Sequence, residues 1–217
     1  FDGFQRIPYF GFYAIPVIAQ LGLPVYGHSA LPLPPKFGIT FEQILQNHYE
    51  IVNDKRDLSL LEKYQFGYLS TADTLPKLEA LRTLRNEIVK RPMLATLEKI
   101  LLPIQARQNI LATTYFHRGY EVALTEIGKL SPFDKVIIGN GMEGTTLLGV
   151  HKEAKVFIQN GTDEAEQKNL SLKTLYTEET AQGIAQAHEE LKPIESSLEI
   201  LAEMGENALK TGQGPAS

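Results

Sequence analysis

Blocks of apolar and polar residues along the chain predict an alternation of helices and strands. Apolar side chains that recur every three or four positions indicate helices, and short apolar runs bounded by turn residues indicate strands. Thr40 and Gln43 have the spacing of a capping box, which predicts the start of one helix. The other predicted helices are Phe12–Gly22, one beginning at Ser59, Pro76–Ile88, Thr96–Leu102, Gly119–Lys129, Glu178–Leu191 and Ser196–Lys210. The predicted strands are Leu23–Tyr26, Phe66–Leu69, Ile110–Tyr115, Lys135–Ile138 and Lys155–Ile158, the last followed by an Asn160-Gly161 turn.

This alternation predicts an α/β fold with a central, mostly parallel sheet flanked by helices. Residues 39–103 read as mostly helical, so we expect them to contribute to a helical lobe beside the sheet. The whole chain, residues 1–217, is expected to form one α/β domain. In parallel sheets the ligand sits beyond the carboxyl ends of the strands, which makes Gly27-His28-Ser29 a candidate wall of a site.

Composition narrows the class of protein. Hydrophobic residues make up 43% of the 217 positions and charged residues 22%, as in ordinary globular proteins. The chain has no cysteine, which excludes a disulfide scaffold, thiol catalysis, CxxC zinc sites and iron–sulfur clusters. Two prolines and two glycines interrupt the most apolar stretch, Phe10 to Tyr26, so we expect no membrane span. No signal-peptide pattern opens the chain, and the cytoplasm is the expected compartment.

Charge is distributed unevenly around a net value of −5. Between Arg82 and Arg118 seven basic residues face two acids, whereas between Thr162 and Glu206 eleven acids face three lysines. The basic stretch has two readings, a surface for a phosphate-bearing ligand or a set of solvated helix faces. The acidic total argues against a dedicated nucleic-acid binder.

Three local constellations carry candidate chemistry, each with a plain structural alternative. The loop Asp2 to Arg6 can offer backbone N–H groups and an arginine to a phosphate, or be a terminus with one turn glycine. Arg85 and Arg91, around a proline-constrained corner, can clamp a carboxylate or phosphate, or complement the helix dipole. The run Gly139 to Thr146, whose one acid is Glu143, can admit a ligand close to the backbone, or be a simple turn.

The order of these pieces resembles the anthranilate phosphoribosyltransferase-like branch of glycosyltransferase family 3. The resemblance is carried by Gly38–Leu45, Phe66–Leu69, Leu81–Arg91, Thr96–Pro103 and Ala208–Pro215. It implies an α/β domain of the nucleoside phosphorylase and phosphoribosyltransferase type, with a cleft for phosphoribosyl pyrophosphate or a related phosphosugar. Because the chain begins at Phe1 rather than Met, we also expect that it belongs to a longer protein whose terminal helices are missing here.

The resemblance implies a set of ligand-binding residues and a metal. The implied substrate-binding residues are Gly3, Arg6, Gly27, His28, Arg91, His117, Gly139 and Gly141, with Glu143 as a magnesium ligand. Arg91 falls where the family binds its acceptor, and no catalytic residue is singled out. The family's "GTGGD" and "KHGN" motifs are represented by Asp2–Arg6 and Tyr26–Ser29, without the glycine cradle and the lysine.

Those departures make the chain similar to the divergent paralogues of the family. They remove contacts that would hold a magnesium-bound pyrophosphate. Such paralogues are homodimers through the helical lobe, and some bind nucleic acid. The resemblance therefore implies a phosphoribosyl-ligand protein, with a non-catalytic nucleic-acid-binding protein as the alternative.

Overall fold

The chain forms two compact units in a computed structural model that describes residues 11–49, 59–142, 148, 153–190 and 197–212. One unit is built from residues within 1–96 and 194–214, and the other from residues within 97–193. Each unit contains its own sheet and its own apolar core. No helix in the described ranges is long and apolar enough to cross a membrane.

The first unit has a two-stranded parallel sheet surrounded by short helices. Strand β1 (Val25–Ser29) pairs with β2 (Phe66–Ser70) from Val25 opposite Phe66 to Ser29 opposite Ser70, so the two strands end together. Its helices are α1 (Gly11–Gln20), α2 (Phe41–Gln43), α3 (Ser59–Tyr64), α4 (Thr71–Thr74), α5 (Pro76–Glu79), α6 (Arg82–Ile88) and α11 (Leu198–Thr211), with a π-helical turn at Ile44–His48. Helix α7 (Leu94–Leu97) lies where the chain passes to the second unit.

The core of this unit forms around α1, which is apolar on nearly all sides. Phe12, Tyr13 and Ile15 are buried against residues of α2, the π-helical turn and α11. Tyr68 donates a hydrogen bond of 2.5 Å from its hydroxyl to the Phe12 carbonyl, and its ring stacks on Phe12 at 4.1 Å between centroids. This arrangement ties β2 to α1.

The second unit has a four-stranded sheet in the order β3-β4-β5-β6. The strands are β3 (Ile110–Tyr115), β4 (Lys135–Asn140), β5 (Ala154–Asn160) and β6 (Glu166–Leu170). A 3-10 turn at Glu98–Ile100 precedes them, and the helices are α8 (Tyr120–Lys129), α9 (Leu172–Leu175) and α10 (Glu178–Glu190). Strands β3 and β4 are parallel and joined through α8, whereas β4–β5 and β5–β6 are antiparallel.

The α/β class is confirmed, but one central, mostly parallel sheet is not what the described residues form. They form two sheets, and two of the three pairings in the larger sheet are antiparallel. Antiparallel strands need only a short turn, and Asn160-Gly161, with Gly161 at a φ of 50°, supplies it between β5 and β6. Where described, residues 39–103 are mostly helical.

Candidate functional site

The parallel strands β3 and β4 of the second unit end at a turn that brings three predicted site residues to one edge. The Gly141 N–H donates to the Tyr115 carbonyl at 3.0 Å, which joins the carboxyl end of β4 to that of β3. Gly141 also forms an antiparallel bridge with Leu148. A Cβ on Gly139 would lie 3.2 Å from Cδ2 of Leu148, so this glycine permits the chain to fold back closely. His117 follows β3 at the same edge.

His117 belongs to a group of exposed rings at this edge. Its ring lies 5.1 Å from that of Phe116, edge to face, and 6.3 Å from that of Tyr120. Tyr120 is the first residue of α8, and its N–H donates to the His117 carbonyl at 3.3 Å. The turn therefore places the His117 ring near the rings of both Phe116 and Tyr120.

A carboxylate of the protein already occupies the amino end of α8. Gly119 adopts a left-handed conformation with φ of 95° at the helix cap, and its N–H donates to Glu121 Oε2 at 2.7 Å. A helix amino end attracts anions, and here the Glu121 side chain takes that position. Burial raises the pKa of Tyr115, and the negative charge of Glu121 raises it further. An anionic ligand at this edge is therefore expected to use side chains other than the helix end.

Lys99, one of the seven basic residues between Arg82 and Arg118, supplies a cation near the end of β3. Its Nζ donates to the Thr114 carbonyl at 3.0 Å, one residue before the end of β3. Lysine heads reach such positions from a neighbouring turn because their stems are long, and a spacing motif in the sequence does not reveal this.

In the first unit, close packing around position 27 explains why the residue there is a glycine. A Cβ at this position would lie 2.6 Å from Cε2 of Phe41 and 2.7 Å from Cδ1 of Ile15. The bare α-carbon therefore faces the core at this position in β1. His28, the next residue, pairs with Leu69 in register and is half-buried, one position before the strand ends.

A buried carboxyl group, Glu42, lies close to the carboxyl end of β2 and was not singled out from the sequence. It is 7% exposed and accepts a hydrogen bond from Gln46 Nε2. Burial raises the pKa of Glu42, and the charges of Asp73 and Glu79 raise it further, whereas a hydrogen bond with Ser70 lowers it. The sequence signal would have been an acid in the first turn of a helix, next to the apolar Phe41 and close to Ile44 and Leu45.

The arginines between Arg82 and Arg91 fall into three different environments. Arg82 pairs with Glu79 and donates to the carbonyls of Pro32 and Leu31 at 3.1 and 3.3 Å, so it holds the loop that follows β1. Arg85 is 4% exposed. Arg91, the implied acceptor-binding residue, is exposed beyond the end of α6.

The remaining predicted residues, Gly3, Arg6 and Glu143, lie outside the described residues. In the part of the chain that the structure describes, no group of three or more histidine, aspartate or glutamate side chains is placed to hold a metal ion.

Comparison with known proteins gives one distant relationship. No protein-family model matches the chain. The chain is similar to an uncharacterized protein of Aquifex aeolicus (strain VF5). The two are 28% identical over 144 residues, which cover 66% of this chain. The match spans 42% of the length of that relative, and the relative's name gives no activity.

Proposed function

We propose that this protein belongs to the anthranilate phosphoribosyltransferase-like branch of glycosyltransferase family 3 and binds a phosphoribosyl ligand. The observation that carries the proposal is the β3–α8–β4 unit, which puts His117, Gly139 and Gly141 at the shared carboxyl end of two parallel strands. Ligands of open α/β sheets bind at that end. The resemblance of the sequence supplies the ligand class.

Under this proposal, an active enzyme would exchange the group on the anomeric carbon of a ribose phosphate. The incoming group would be an acceptor in a transfer reaction or inorganic phosphate in a phosphorolysis. Arg91 would bind the acceptor, because a guanidinium forms paired hydrogen bonds with a carboxylate. Gly3, Arg6 and His28 would contact phosphates, while Gly27 keeps its packing role. Glu143 would orient the magnesium that accompanies a pyrophosphate group. A homodimer in the cytoplasm belongs to the same proposal, and the homodimer is what the resemblance implies.

The test is a calorimetric titration with phosphoribosyl pyrophosphate, with and without magnesium. We expect magnesium-dependent binding that Glu143→Ala abolishes. Glu153→Ala is the matched control, because Glu153 is an exposed carboxylate whose one described hydrogen bond is to Asn169. Absence of heat at millimolar ligand would contradict the proposal, as would equal losses in the two variants.

A second candidate function, nucleic-acid binding, rests on the basic excess between Arg82 and Arg118. These basic residues differ in whether their side chains are exposed to a ligand. Arg82 is paired with Glu79, Arg85 is buried and Lys99 is bonded to a main-chain carbonyl. The exposed members are Lys90, Arg91, Arg107 and Arg118. A single-stranded oligonucleotide whose affinity falls steeply with added salt would favour this reading over the first.

A further inference from the structure

The exposed rings at the carboxyl end of β3 form one continuous group, which we call the ring cluster: Phe116, His117 and Tyr120. Phe116 is 57% exposed and Tyr120 is 47% exposed, although both have large apolar surfaces. The ring of His117 contacts both of them. Contiguous exposed apolar surface marks an interaction site more often than single exposed side chains do.

The local fold fixes the ring cluster in place. Phe116 follows the buried end of β3, and Tyr120 begins a ten-residue helix in which Leu124 and Gly128, one and two turns further along the same face, are buried. Between them the chain turns at Gly119, whose N–H is held by Glu121. The backbone that carries the rings is therefore held by the turn and the helix, and a preformed backbone lowers the entropy cost of binding.

The charges around the ring cluster indicate what kind of ligand fits. Arg118 is exposed and directly follows His117 in the chain, and Lys99 reaches the same end of β3. Flat rings stack with nucleobases whatever the base, and a guanidinium pairs with phosphate oxygens. Because Glu121 takes the helix end, a phosphate at this edge would bind to the side-chain cation.

We propose that the ring cluster binds the base of a nucleoside monophosphate and that Arg118 binds its phosphate. This inference deepens the proposed function and rests on it, since it adds a planar base to the phosphoribosyl ligand. It assigns a binding role to Phe116, Tyr120 and Arg118, which are not among the substrate-binding residues that the resemblance implies.

The test compares three ligands, namely AMP, adenosine and ribose 5-phosphate, by calorimetry on the full chain. We expect AMP to bind about tenfold more tightly than ribose 5-phosphate, the difference that stacking of one base supplies. Phe116→Leu and Tyr120→Leu should each weaken AMP binding by about threefold, their shares of that difference, and leave ribose 5-phosphate binding unchanged. Arg118→Gln should weaken AMP and leave adenosine unchanged.

Tyr176→Leu is the control, because Tyr176 is 50% exposed in the same unit and follows α9 rather than β3. The affinity of the Tyr176→Leu variant for AMP should equal that of the wild-type protein. Equal binding of AMP and ribose 5-phosphate, or an equal loss in the Tyr176 variant, would overturn the inference. If Tyr120→Leu converts a dimer into a monomer in sedimentation, the ring cluster is an interface between copies and the inference is wrong.

The inference and the proposed function fail separately. Binding of phosphoribosyl pyrophosphate without binding of AMP would keep the proposed function and remove the ring cluster from it. Binding of AMP that depends on the ring cluster, without any binding of phosphoribosyl pyrophosphate, would keep the nucleotide site and remove the transferase reading.

Discussion

At the scale of single residues, Val89 stands in a backbone conformation that its side chain disfavours. It caps the carboxyl end of α6 with a φ of 62°, in the left-handed region. A β-branched residue there costs roughly 1–2 kcal/mol, because the side chain crowds the backbone. Val89 is 56% exposed, so little buried surface would be lost by shortening it. We predict that Val89→Gly raises the free energy of unfolding by about 1 kcal/mol, measured by urea denaturation.

The control for this prediction is Ile88→Gly, one residue earlier. Ile88 ends α6 and is 46% exposed, but its backbone is helical. Glycine in a helical position costs about 1 kcal/mol relative to alanine, so this variant should lose stability. If Val89→Gly and Ile88→Gly lower the free energy of unfolding by the same amount, the left-handed backbone of Val89 does not destabilise the protein and the prediction is wrong.

At the scale of elements, a polar network holds α11 against the π-helical turn. Glu206 accepts hydrogen bonds from Tyr49 at 3.1 Å and Lys210 at 3.3 Å, and it bonds to Nε2 of His48 at 3.2 Å. The hydrogen bond with His48 is the first cause that lowers the pKa of Glu206 below its ordinary value of 4.5, followed by those with Lys210 and Tyr49. The folded chain therefore favours the charged carboxylate.

The sign of the pH dependence follows from this lowered pKa. Stability from Glu206 is complete above the unfolded-state pKa and is lost as the pH falls through the lower folded-state pKa. We predict that Glu206→Gln makes the loss of stability between pH 5 and about pH 3 shallower, as measured by thermal unfolding. Glu203→Gln, an exposed acid on the same helix, should keep the wild-type slope. A steeper slope in Glu206→Gln would contradict the assignment.

Local sequence patterns predict some of the helices and strands correctly and miss others. Strand β3 and the capping box at Thr40 lie where they were predicted, because apolar runs and caps are local signals. The predicted helix Pro76–Ile88 divides into α5 and α6, since Ala80 and Leu81 make turn bonds that interrupt it. Strand β6, Glu166–Leu170, was missed because its side chains are mostly exposed and polar, and pairing with β5 defines it.

The candidate site was predicted less completely than the elements. The turn with His117, Gly139 and Gly141 follows from strand ends and from the resemblance. The burial of Glu42 and the reach of Lys99 to Thr114 depend on contacts between distant parts of the chain. No local spacing of residues in the sequence predicts the burial of Glu42 or the hydrogen bond of Lys99. Likewise, the sequence does not predict that Phe116 and Tyr120 are exposed, because aromatic residues in folded proteins are usually buried to a large extent.

At the scale of the whole molecule, the described residues form two cores, and each core has a helical glycine at a close contact. A Cβ on Gly128 in α8 would collide with the fully buried Gln159, and one on Gly205 in α11 would collide with the ring of Tyr13. By contrast, a Cβ on Gly183 in α10 meets no atom within 4 Å. Overpacking costs about 1–3 kcal/mol, whereas alanine in an open helical position gains up to about 1 kcal/mol.

These contacts predict where each substitution acts, which hydrogen exchange with mass spectrometry can locate. Gly128→Ala should speed exchange mainly within residues 97–193, and Gly205→Ala mainly within the described residues of 11–96 and 197–212, because each collision lies within one core. Gly183→Ala should speed neither. Combining Gly128→Ala with Gln159→Ala should recover part of the loss, since the smaller side chain leaves room for the new methyl group. A uniform increase along the chain from either glycine variant would show that the two cores unfold as one cooperative unit, and the two-unit description would then hold for contacts but not for stability.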